Sequence, residues 1–370
     1  MFFFLYETLG DQSTFFNVFR YTTFRAAWSM MTALAICYLA YPWFIGWMRE
    51  RKLAQVIRDD GPQAHLETKV GTPTMGGAVM LAGITVAVLL WARLDQPVVW
   101  MALAILLGYG AIGFVDDWMK VMHKSSAGLA GRWKLVWQGV IAAVVLGVGY
   151  VGGELDPTLA FPFFKNVVLH FDVLWTGAPA MLGWLYVAFA VFVLVAMSNA
   201  VNLTDGLDGL AIGPIMTSAA TYALLAYVTG VPAFAEYLRI PYVEGASELT
   251  VVAVAVVGAG LGFLWFNSYP AQVFMGDVGS LSLGGLLGAL AILTKHELLL
   301  VLVGGIFVLE AVSVVLQVGS YKLRKKRIFA MAPIHHHYEK KGWSEPKIIV
   351  RFWIISIMLA LVALTTLKLR

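Results

Sequence analysis

Carboxylates stand out in this chain because they occur where long apolar runs meet loops. Five of them follow this pattern: Asp116, Asp117, Asp205, Asp208 and Asp277. An ionised group at the edge of a membrane is costly, so an acid in such a position is by default a candidate for function. Several carboxylates on one side of a protein, with lysines nearby, have the chemistry to hold a divalent metal ion against a phosphorylated substrate.

The adjacent acids Asp116 and Asp117 end the third apolar run. Neighbouring residues on a helix point about 100° apart, so one carboxylate can face a metal ion while the other faces a second substrate. The structural alternative is a solvated pair at the end of the helix. Two negative charges at a helix C-terminus oppose the helix dipole, which makes that alternative less favourable.

The segment from Asn199 to Leu210 places amide, hydroxyl and carboxylate groups between two apolar runs, at Asn202, Thr204, Asp205 and Asp208. If the next helix begins here, its two acids, three positions apart, share a face. The free backbone N–H groups of that helix start would suit an anion. The structural alternative is a polar loop with an N-capping aspartate.

Two glycine-containing segments predict close approach of the backbone to a ligand. The segment from Lys69 to Gly77 offers a lysine for a phosphate group and the hydroxyl of Thr74. The turn at Gly276 and Asp277 leads into an apolar run, and Asp277 offers oxygen ligands. Helix packing is the structural alternative for the first segment. For Phe274, stacking on a base and packing inside the protein remain equally open.

Three consecutive histidines, His335, His336 and His337, lie in the most basic loop. Consecutive side chains diverge in direction, so they make a poor ligand set for one metal ion. Contacts with phosphate or hydroxyl groups fit imidazole better near neutral pH. Glu310 and Gln317 are seven positions apart on one helix face, and for them structural and functional roles stay open.

Composition indicates a membrane protein. Hydrophobic residues make up 60% of the 370 residues and charged residues 13%, whereas a soluble domain is about half apolar and about a quarter charged. We expect an all-α polytopic protein with a single integral membrane domain over 1–370. The one cysteine, Cys37, excludes a disulfide within the chain, and no basic block suggests nucleic-acid binding. Runs long enough for a bilayer predict about ten transmembrane helices, near 22–47, 74–92, 98–118, 134–152, 182–200, 208–229, 249–266, 279–294, 298–320 and 348–367.

The distribution of charge predicts the orientation. Ten spans place both termini on one side, and eighteen of the 26 Lys and Arg residues fall in or beside the loops of the other side. The positive-inside rule makes those loops cytoplasmic and both termini external. All five acids then lie at cytoplasmic helix ends. The longest external segment, 153–181, is predicted to form a short β-hairpin over Phe161–Trp175, and 231–248 a loop or short interfacial helix.

In order along the chain, these motifs resemble those of the polyprenyl-phosphate N-acetylhexosamine-1-phosphate transferases. The resemblance covers nearly the whole chain, and five motifs in family order are far more specific than one. The matching motifs are Lys69…Thr74-Met75-Gly76-Gly77, Asp116-Asp117, Asn202-Leu203-Thr204-Asp205-Gly206-Leu207-Asp208-Gly209, Phe274-Met275-Gly276-Asp277 and Pro333-Ile334-His335-His336-His337.

The resemblance implies an enzyme of the bacterial cytoplasmic membrane with ten helices and a cytoplasmic cleft. It implies Mg²⁺-dependent transfer of phospho-N-acetylmuramoyl-pentapeptide from its UDP carrier to undecaprenyl phosphate, which gives lipid I and UMP for peptidoglycan synthesis. The triple histidine is the pattern of the muramoyl-pentapeptide branch.

The same resemblance implies roles for individual residues. Mg²⁺ is assigned to Asp277, with Asp117 or Asp205 as a further ligand. Catalysis is assigned to Asp116, Asp117, Asp277 and His336. Substrate binding is assigned to Lys69, Thr74, Lys134, Asn202, Asp205, Asp208, Asn267, Phe274, Gly276, Gln317, His335 and His337.

Several alternatives stay open. Asp116 is expected to contact or deprotonate the lipid phosphate, and both direct displacement and a covalent phospho-aspartyl route are compatible with the residues. The alternative function is a UDP-GlcNAc transferase of the same superfamily. An ion-coupled transporter is a remote alternative. The acids of such a transporter usually lie mid-span in paired halves, whereas the acids of this chain lie at one membrane interface and its halves do not match. A homodimer through apolar helices is also left open.

Overall fold

The computed structural model describes residues 1–10, 13–51, 71–123, 125, 128–171 and 182–368, with side chains described throughout these ranges except at 165–167. In this part of the chain nine helices are long and apolar enough to cross a membrane. They are α2 (Thr22–Glu50), α4 (Pro97–Met122), α5 (Gly131–Val151), α6 (Gly183–Thr204), α7 (Ile212–Thr229), α9 (Leu249–Asn267), α10 (Gly276–Leu293), α12 (Gly305–Arg324) and α14 (Glu345–Thr365).

Shorter helices complete the described fold: α1 (Phe2–Leu9), α3 (Gly77–Trp91), α8 (Pro232–Leu238), α11 (Leu300–Val303) and α13 (Ile334–Lys340). The apolar α3 has 15 residues and occupies the second predicted span. An all-α polytopic membrane protein is therefore confirmed, and each of the ten predicted spans contains a helix. The span predicted at 298–320 is divided at Gly304 into α11 and α12.

The helix ends follow local sequence rules. Pro97 and Pro232 stand at the first position of α4 and α8, where a missing N–H costs nothing. Lys325 ends α12 in the left-handed conformation, with φ of 55°, and its N–H bonds to the Tyr321 carbonyl. These stops fix where the chain leaves each helix and therefore where the loops of the candidate site begin.

The central helix is α10, in which 89% of the residues are buried. It packs mainly against α4 and α6. Its small residues permit this closeness: a Cβ added at Gly284 would lie 2.8 Å from the Cα of Ser198 on α6. By contrast, α5 and α12 are each only 28% buried and present apolar faces outward, as lipid-facing helices do.

One predicted boundary is wrong. The span placed at 208–229 begins only at Ile212, so Asp208 lies in the preceding loop and not in the first turn of α7. Gly209 has a φ of 78°, which lies outside the range of a right-handed helix. The Asp208 carboxylate accepts a hydrogen bond from the Ala271 N–H in another loop. Asp205 and Asp208 therefore do not share a helix face.

The predicted β-hairpin is confirmed, beginning three residues earlier than expected. Strand β1 (Thr158–Phe161) pairs antiparallel with β2 (Phe164–His170), and Leu159 lies opposite Leu169. The end of the predicted hairpin at Trp175 lies outside the described residues. Because α5 begins at the end of the molecule where α4 finishes, the hairpin that follows α5 lies at the opposite end. The stretch 231–248 contains the short helix α8, as predicted.

Candidate active site

The site is built where the end of α4 meets the start of α10. Asp116 and Asp117 are 0% and 3% exposed in the last two turns of α4. One turn earlier, a Cβ at Gly113 would collide with the backbone of Asp277 and Val278. This glycine lets the two helices touch, and their contact brings Asp277 beside the acids of α4.

The three carboxylates of Asp116, Asp117 and Asp277 form one cluster. Each offers an oxygen, and these atoms all lie within 4.8 Å of one another. The backbone N–H of Val278, in the first turn of α10, donates to Asp117 Oδ2 over 3.2 Å. A free N–H at a helix start favours a negative charge. Hard oxygen donors in this arrangement can hold a divalent metal ion.

Two lysines neutralise most of the negative charge. Lys120 Nζ lies 2.5 Å from Asp116 Oδ2 and 3.4 Å from both Asp117 Oδ1 and Asp277 Oδ2. Lys134 Nζ lies 2.6 Å from Asp277 Oδ2 and 3.0 Å from Asp116 Oδ1. Both ammonium groups are partly exposed, at 24% and 18% of the side chain. Three carboxylates against two ammonium groups leave one negative charge in excess when all are ionised.

Lys120 was not among the sequence-predicted site residues, although its ammonium group lies within 3.4 Å of all three acids. A signal was present, because Lys120 follows Asp116 by four positions and Asp117 by three, and such pairs share a helix face. Lys134 was predicted, and the structure places it in the cluster.

Asn202 joins the cluster from the last turn of α6. Its Nδ2 donates to Asp277 Oδ1 over 3.0 Å and to Ser280 Oγ over 2.8 Å. Behind it, Gln138 Nε2 donates to Ser198 Oγ over 2.9 Å, and Asn199 Nδ2 donates to Gln138 Oε1 over 2.8 Å. Gln138 lies one turn beyond Lys134 on α5, so this polar network sets the position of α5 and its lysine against α6.

Two loop segments, 73–77 and 273–276, meet beside the acids and are joined by backbone hydrogen bonds. We refer to them together as the wall. The N–H groups of Gly76 and Gly77 donate to the carbonyls of Phe274 and Met275, both over 2.9 Å, and the Phe274 N–H donates to the Pro73 carbonyl over 2.8 Å. Gly276 has a φ of 73°. A Cβ there would lie 3.0 Å from Thr74 Oγ1 and would collide with the Asp117 carboxylate. The structure therefore places Thr74 and Gly276 beside the acid cluster, and substrate contacts by both stay a prediction.

Asn267 and Asp208 support the loop that carries Phe274. Asn267 Nδ2 donates to the Val273 carbonyl over 2.8 Å, and the Ala271 N–H donates to Asp208 Oδ2 over 2.9 Å. Both polar residues are at most 4% exposed, and Phe274 is half-buried. Substrate contacts by these three residues stay a prediction.

His335 lies beneath the loop between α6 and α7. It is fully buried, its Nδ1 is 3.1 Å from Glu310 Oε1, and its Nε2 faces Gly206. Within the described residues that Nε2 has no hydrogen-bond partner. If Nδ1 carries the proton for Glu310, Nε2 is left as an acceptor beside the residue that follows Asp205.

The other two histidines face different partners. His336 Nδ1 lies 2.5 Å from Glu339 Oε2, and the Ala330 N–H donates to His337 Nδ1 over 3.0 Å. Gln317 bonds to the backbone of 328–329. The divergence expected of consecutive histidines is thus observed, and substrate roles for His336, His337 and Gln317 stay predictions.

Asp205, predicted as a further metal ligand, is not part of the acid cluster. Asp205 ends α6 and is half-buried, and the cluster of possible metal-binding acids among the described residues does not include it. Lys69 lies outside the described residues.

Comparison with known proteins gives a consistent answer over the whole chain. The model of the family described as Glycosyl transferase family 4 matches residues 99–295. The phospho-N-acetylmuramoyl-pentapeptide-transferase of Pelobacter propionicus is 56% identical over 366 residues, which cover 99% of each chain. The protein of the same name from Syntrophus aciditrophicus is 55% identical over 371 residues, which cover 100% of both chains. Similarity at this level extends through every element that builds the acid cluster.

Proposed function

We propose a reaction for this chain from its family, because it belongs to the phospho-N-acetylmuramoyl-pentapeptide transferases. The chain is a membrane-embedded phosphoglycosyl transferase. It transfers phospho-N-acetylmuramoyl-pentapeptide from UDP-N-acetylmuramoyl-pentapeptide to undecaprenyl phosphate, and the products are lipid I and UMP. The observation that carries this proposal is identity of 55–56% over the full chain with relatives of that name.

The acid cluster suits this chemistry. An anionic lipid phosphate must approach the β-phosphate of an anionic pyrophosphate, so the barrier falls when positive charge is held at the meeting point. Phosphoryl transfer depends on positioning and charge neutralisation more than on covalent chemistry by the protein. Three clustered carboxylates with two lysines supply oxygen ligands for a metal ion and cations for phosphate oxygens in one place.

We propose Mg²⁺ as the metal and Asp277 and Asp117 as its protein ligands. The residues fit this ion, because Mg²⁺ sites commonly use one or two carboxylates together with substrate phosphates and water. When bound, the ion supplies charge neutralisation across the pyrophosphate. Asn202 holds the second oxygen of Asp277, which orients that carboxylate toward the cluster.

Lys120 and Lys134 are proposed to bind the phosphate oxygens of the substrates. Their ammonium groups reach the acids from α4 and α5 and remain partly exposed, so each can contact an anion that enters the site. An ammonium group with three donors suits a phosphate oxygen.

Asp116 is proposed to position the acceptor phosphate. Its Oδ1 accepts from the Leu129 N–H over 2.7 Å, which fixes the carboxylate. A phosphate monoester has a second pKa of about 6, so at neutral pH the acceptor is already mostly dianionic and needs little deprotonation. An oxygen of the acceptor phosphate would attack the β-phosphorus of the donor. The bond between that phosphorus and the bridging oxygen would break, and UMP would leave.

The substrate-binding residues are proposed on the same reasoning. The wall formed by 73–77 and 273–276 lies beside the acids and would contact the uridine part of the donor. Asn267, Asp205 and Asp208 would contribute to the same pocket, as their motifs imply. His335, His336, His337 and Gln317 would contact the donor from the side of α13. Lys69 is proposed from its motif alone.

We propose that the acid-bearing end faces the cytoplasm of a bacterium and that both termini lie outside. The support is the positive-inside rule, because the loops at the acid-bearing end contain most of the Lys and Arg residues. The cytoplasmic origin of nucleotide-linked donors agrees with this orientation.

The test of the reaction is UMP release by purified protein with undecaprenyl phosphate, Mg²⁺ and either of two donors. Release with UDP-N-acetylmuramoyl-pentapeptide and not with UDP-GlcNAc is the expected result. Release with UDP-GlcNAc alone would assign the chain to the other branch of the superfamily. No release with either donor from protein that remains folded would contradict the proposed function.

A further inference from the structure

The end of α12 carries a concentration of positive charge that the acid cluster does not use. Five cations occur within 322–327, and all are exposed. Among the described residues none of the five forms a salt bridge, and Lys325 Nζ lies 5.6 Å from the centre of the Tyr321 ring. We refer to this group as the basic turn, and its members are Lys322, Arg324, Lys325, Lys326 and Arg327.

The backbone of the basic turn is held by neutral side chains. Ser320 Oγ donates to the Lys326 carbonyl over 2.9 Å. Gln317 Oε1 accepts from the N–H groups of Ile328 and Phe329, both over 3.0 Å, and Gln317 Nε2 donates to the Phe329 carbonyl over 2.9 Å. The turn is therefore an ordered structure whose charged side chains are not needed to hold it together.

An apolar stripe on α12 leads directly to the basic turn. Leu309, Val312, Leu316 and Leu323 are three, four and seven positions apart, which places them on one helix face. Their exposed fractions are 43%, 45%, 48% and 86%. Since α12 is long enough to cross a membrane and only 28% buried, this stripe faces lipid. Leu323 then lies at the acyl-chain boundary, and its neighbours Lys322 and Arg324 lie at the level of the headgroups.

We propose that the basic turn binds the phosphodiester headgroups of anionic phospholipids in the leaflet at the acid-bearing end of the protein. A group of about 4–8 Lys and Arg directly after a transmembrane helix attracts anionic lipid. Their long side chains can lie along apolar surface while the charged ends reach the headgroups. Leu323 and Ile328, which is 52% exposed, flank the cations with apolar groups that suit a lipid better than a soluble anion.

The proposal is tested by lipid titration of the full-length protein in detergent, followed by native mass spectrometry. Phosphatidylglycerol and phosphatidylcholine are the two probes. The test variant is Lys322→Gln/Arg324→Gln/Lys326→Gln. The control variant, Lys340→Gln/Lys341→Gln/Lys347→Gln, removes the same charge from another exposed basic segment that does not continue the lipid-facing stripe.

We expect the wild type to prefer phosphatidylglycerol. The test variant should lose about tenfold to a hundredfold in apparent affinity for it, since each cation near an anionic surface contributes severalfold. The control should stay within about twofold of wild type. Equal losses in both variants, or equal binding of the two lipids by wild type, would overturn the proposal.

A second variant separates a lipid from a soluble anion. Leu323→Asn keeps every charge and removes the apolar side chain at the boundary, so it should weaken phosphatidylglycerol binding severalfold and should not alter phosphate binding. If millimolar inorganic phosphate displaces phosphatidylglycerol from wild type, the turn binds free phosphate and the lipid assignment is wrong.

Discussion

At the scale of single residues, charge compensation decides how the acid cluster is held together. Three carboxylates within 4.8 Å repel one another, and the cations of Lys120 and Lys134 with the N–H of Val278 oppose that repulsion. The same cations are the ones proposed to bind the substrate phosphates. Charge compensation within the protein and binding of the substrate would therefore use the same groups.

Lys120→Met should reduce UMP release by about a hundredfold or more, because one preorganised cation at a site of developing charge is worth that much. The matched control is Lys340→Met, which removes an exposed lysine outside the cluster. Steady-state rates of both variants at saturating donor are the measurement. A Lys120→Met rate within threefold of wild type would show that this cation takes no part in the transfer.

Glu310→Gln should destabilise the protein by about 1–3 kcal/mol. Glu310 Oε1 lies 3.1 Å from His335 Nδ1 and Oε2 accepts from the His335 N–H over 3.5 Å, and an amide offers one oxygen in place of two. Glu310 and His335 are both 0% exposed, so water cannot substitute. Thermal unfolding of the purified variant is the measurement. Unchanged stability would mean that the pair is not maintained in solution.

At the scale of elements, the crossing of α4 and α10 sets the geometry of the site. At this crossing, the missing side chain of Gly113 leaves room for the Asp277 backbone. Two acid-bearing segments that are 160 residues apart in sequence thus meet through backbone contact and not through flexible side chains.

Gly113→Ala should move α4 away from α10 and lower the transfer rate by about a hundredfold, because a displacement near 1 Å at a reacting centre has that effect. The control is Gly139→Ala on α5, where an added Cβ meets nothing within 4 Å. Rates and unfolding temperatures of both variants are compared. Equal activity in the two variants would contradict the role given to the crossing.

The sequence predicted the elements better than their ends. Apolar runs identified all ten helical segments because exclusion from water is a property of each run by itself. The start of α7 was missed because the Asp208 carboxylate is bonded to Ala271, 63 positions away. Lys120 was missed for a related reason, because part of its environment is the carboxylate of Asp277, which belongs to a distant helix. Asp116, Asp117, Asn202 and Asp277 could be proposed from their motifs, because each motif lies within one short segment.

At the scale of the whole molecule, a second buried polar centre lies at the end remote from the acids. Arg25 binds Glu248 through two hydrogen bonds of 2.5 and 2.6 Å, and the Arg93 N–H donates to the same carboxylate over 3.0 Å. Arg25 and Glu248 are 1% and 3% exposed. This pair joins α2 to the start of α9, so it stabilises the fold and does not contact the site.

Glu248→Gln should therefore destabilise the protein by about 3–5 kcal/mol, because it leaves the buried Arg25 charge without its partner. The control, Asp95→Asn, breaks the exposed pair with Arg93, whose side chains are 35% and 40% exposed, and should cost about 0–1 kcal/mol. Unfolding midpoints are compared, and UMP release below the midpoint should be unchanged in both. Equal shifts in the two variants would contradict the difference in burial.

The most direct test of a metal-dependent acid cluster is the Mg²⁺ dependence of UMP release by wild type and by Asp277→Asn, with unfolding temperatures measured alongside. Wild type should release UMP only when Mg²⁺ and both substrates are present. The folded variant should lose about a hundredfold to a thousandfold in rate, because a metal-binding carboxylate supports several kcal/mol of charge stabilisation. Release at the wild-type rate by folded Asp277→Asn, or release by wild type without a divalent ion, would contradict a metal-dependent acid cluster.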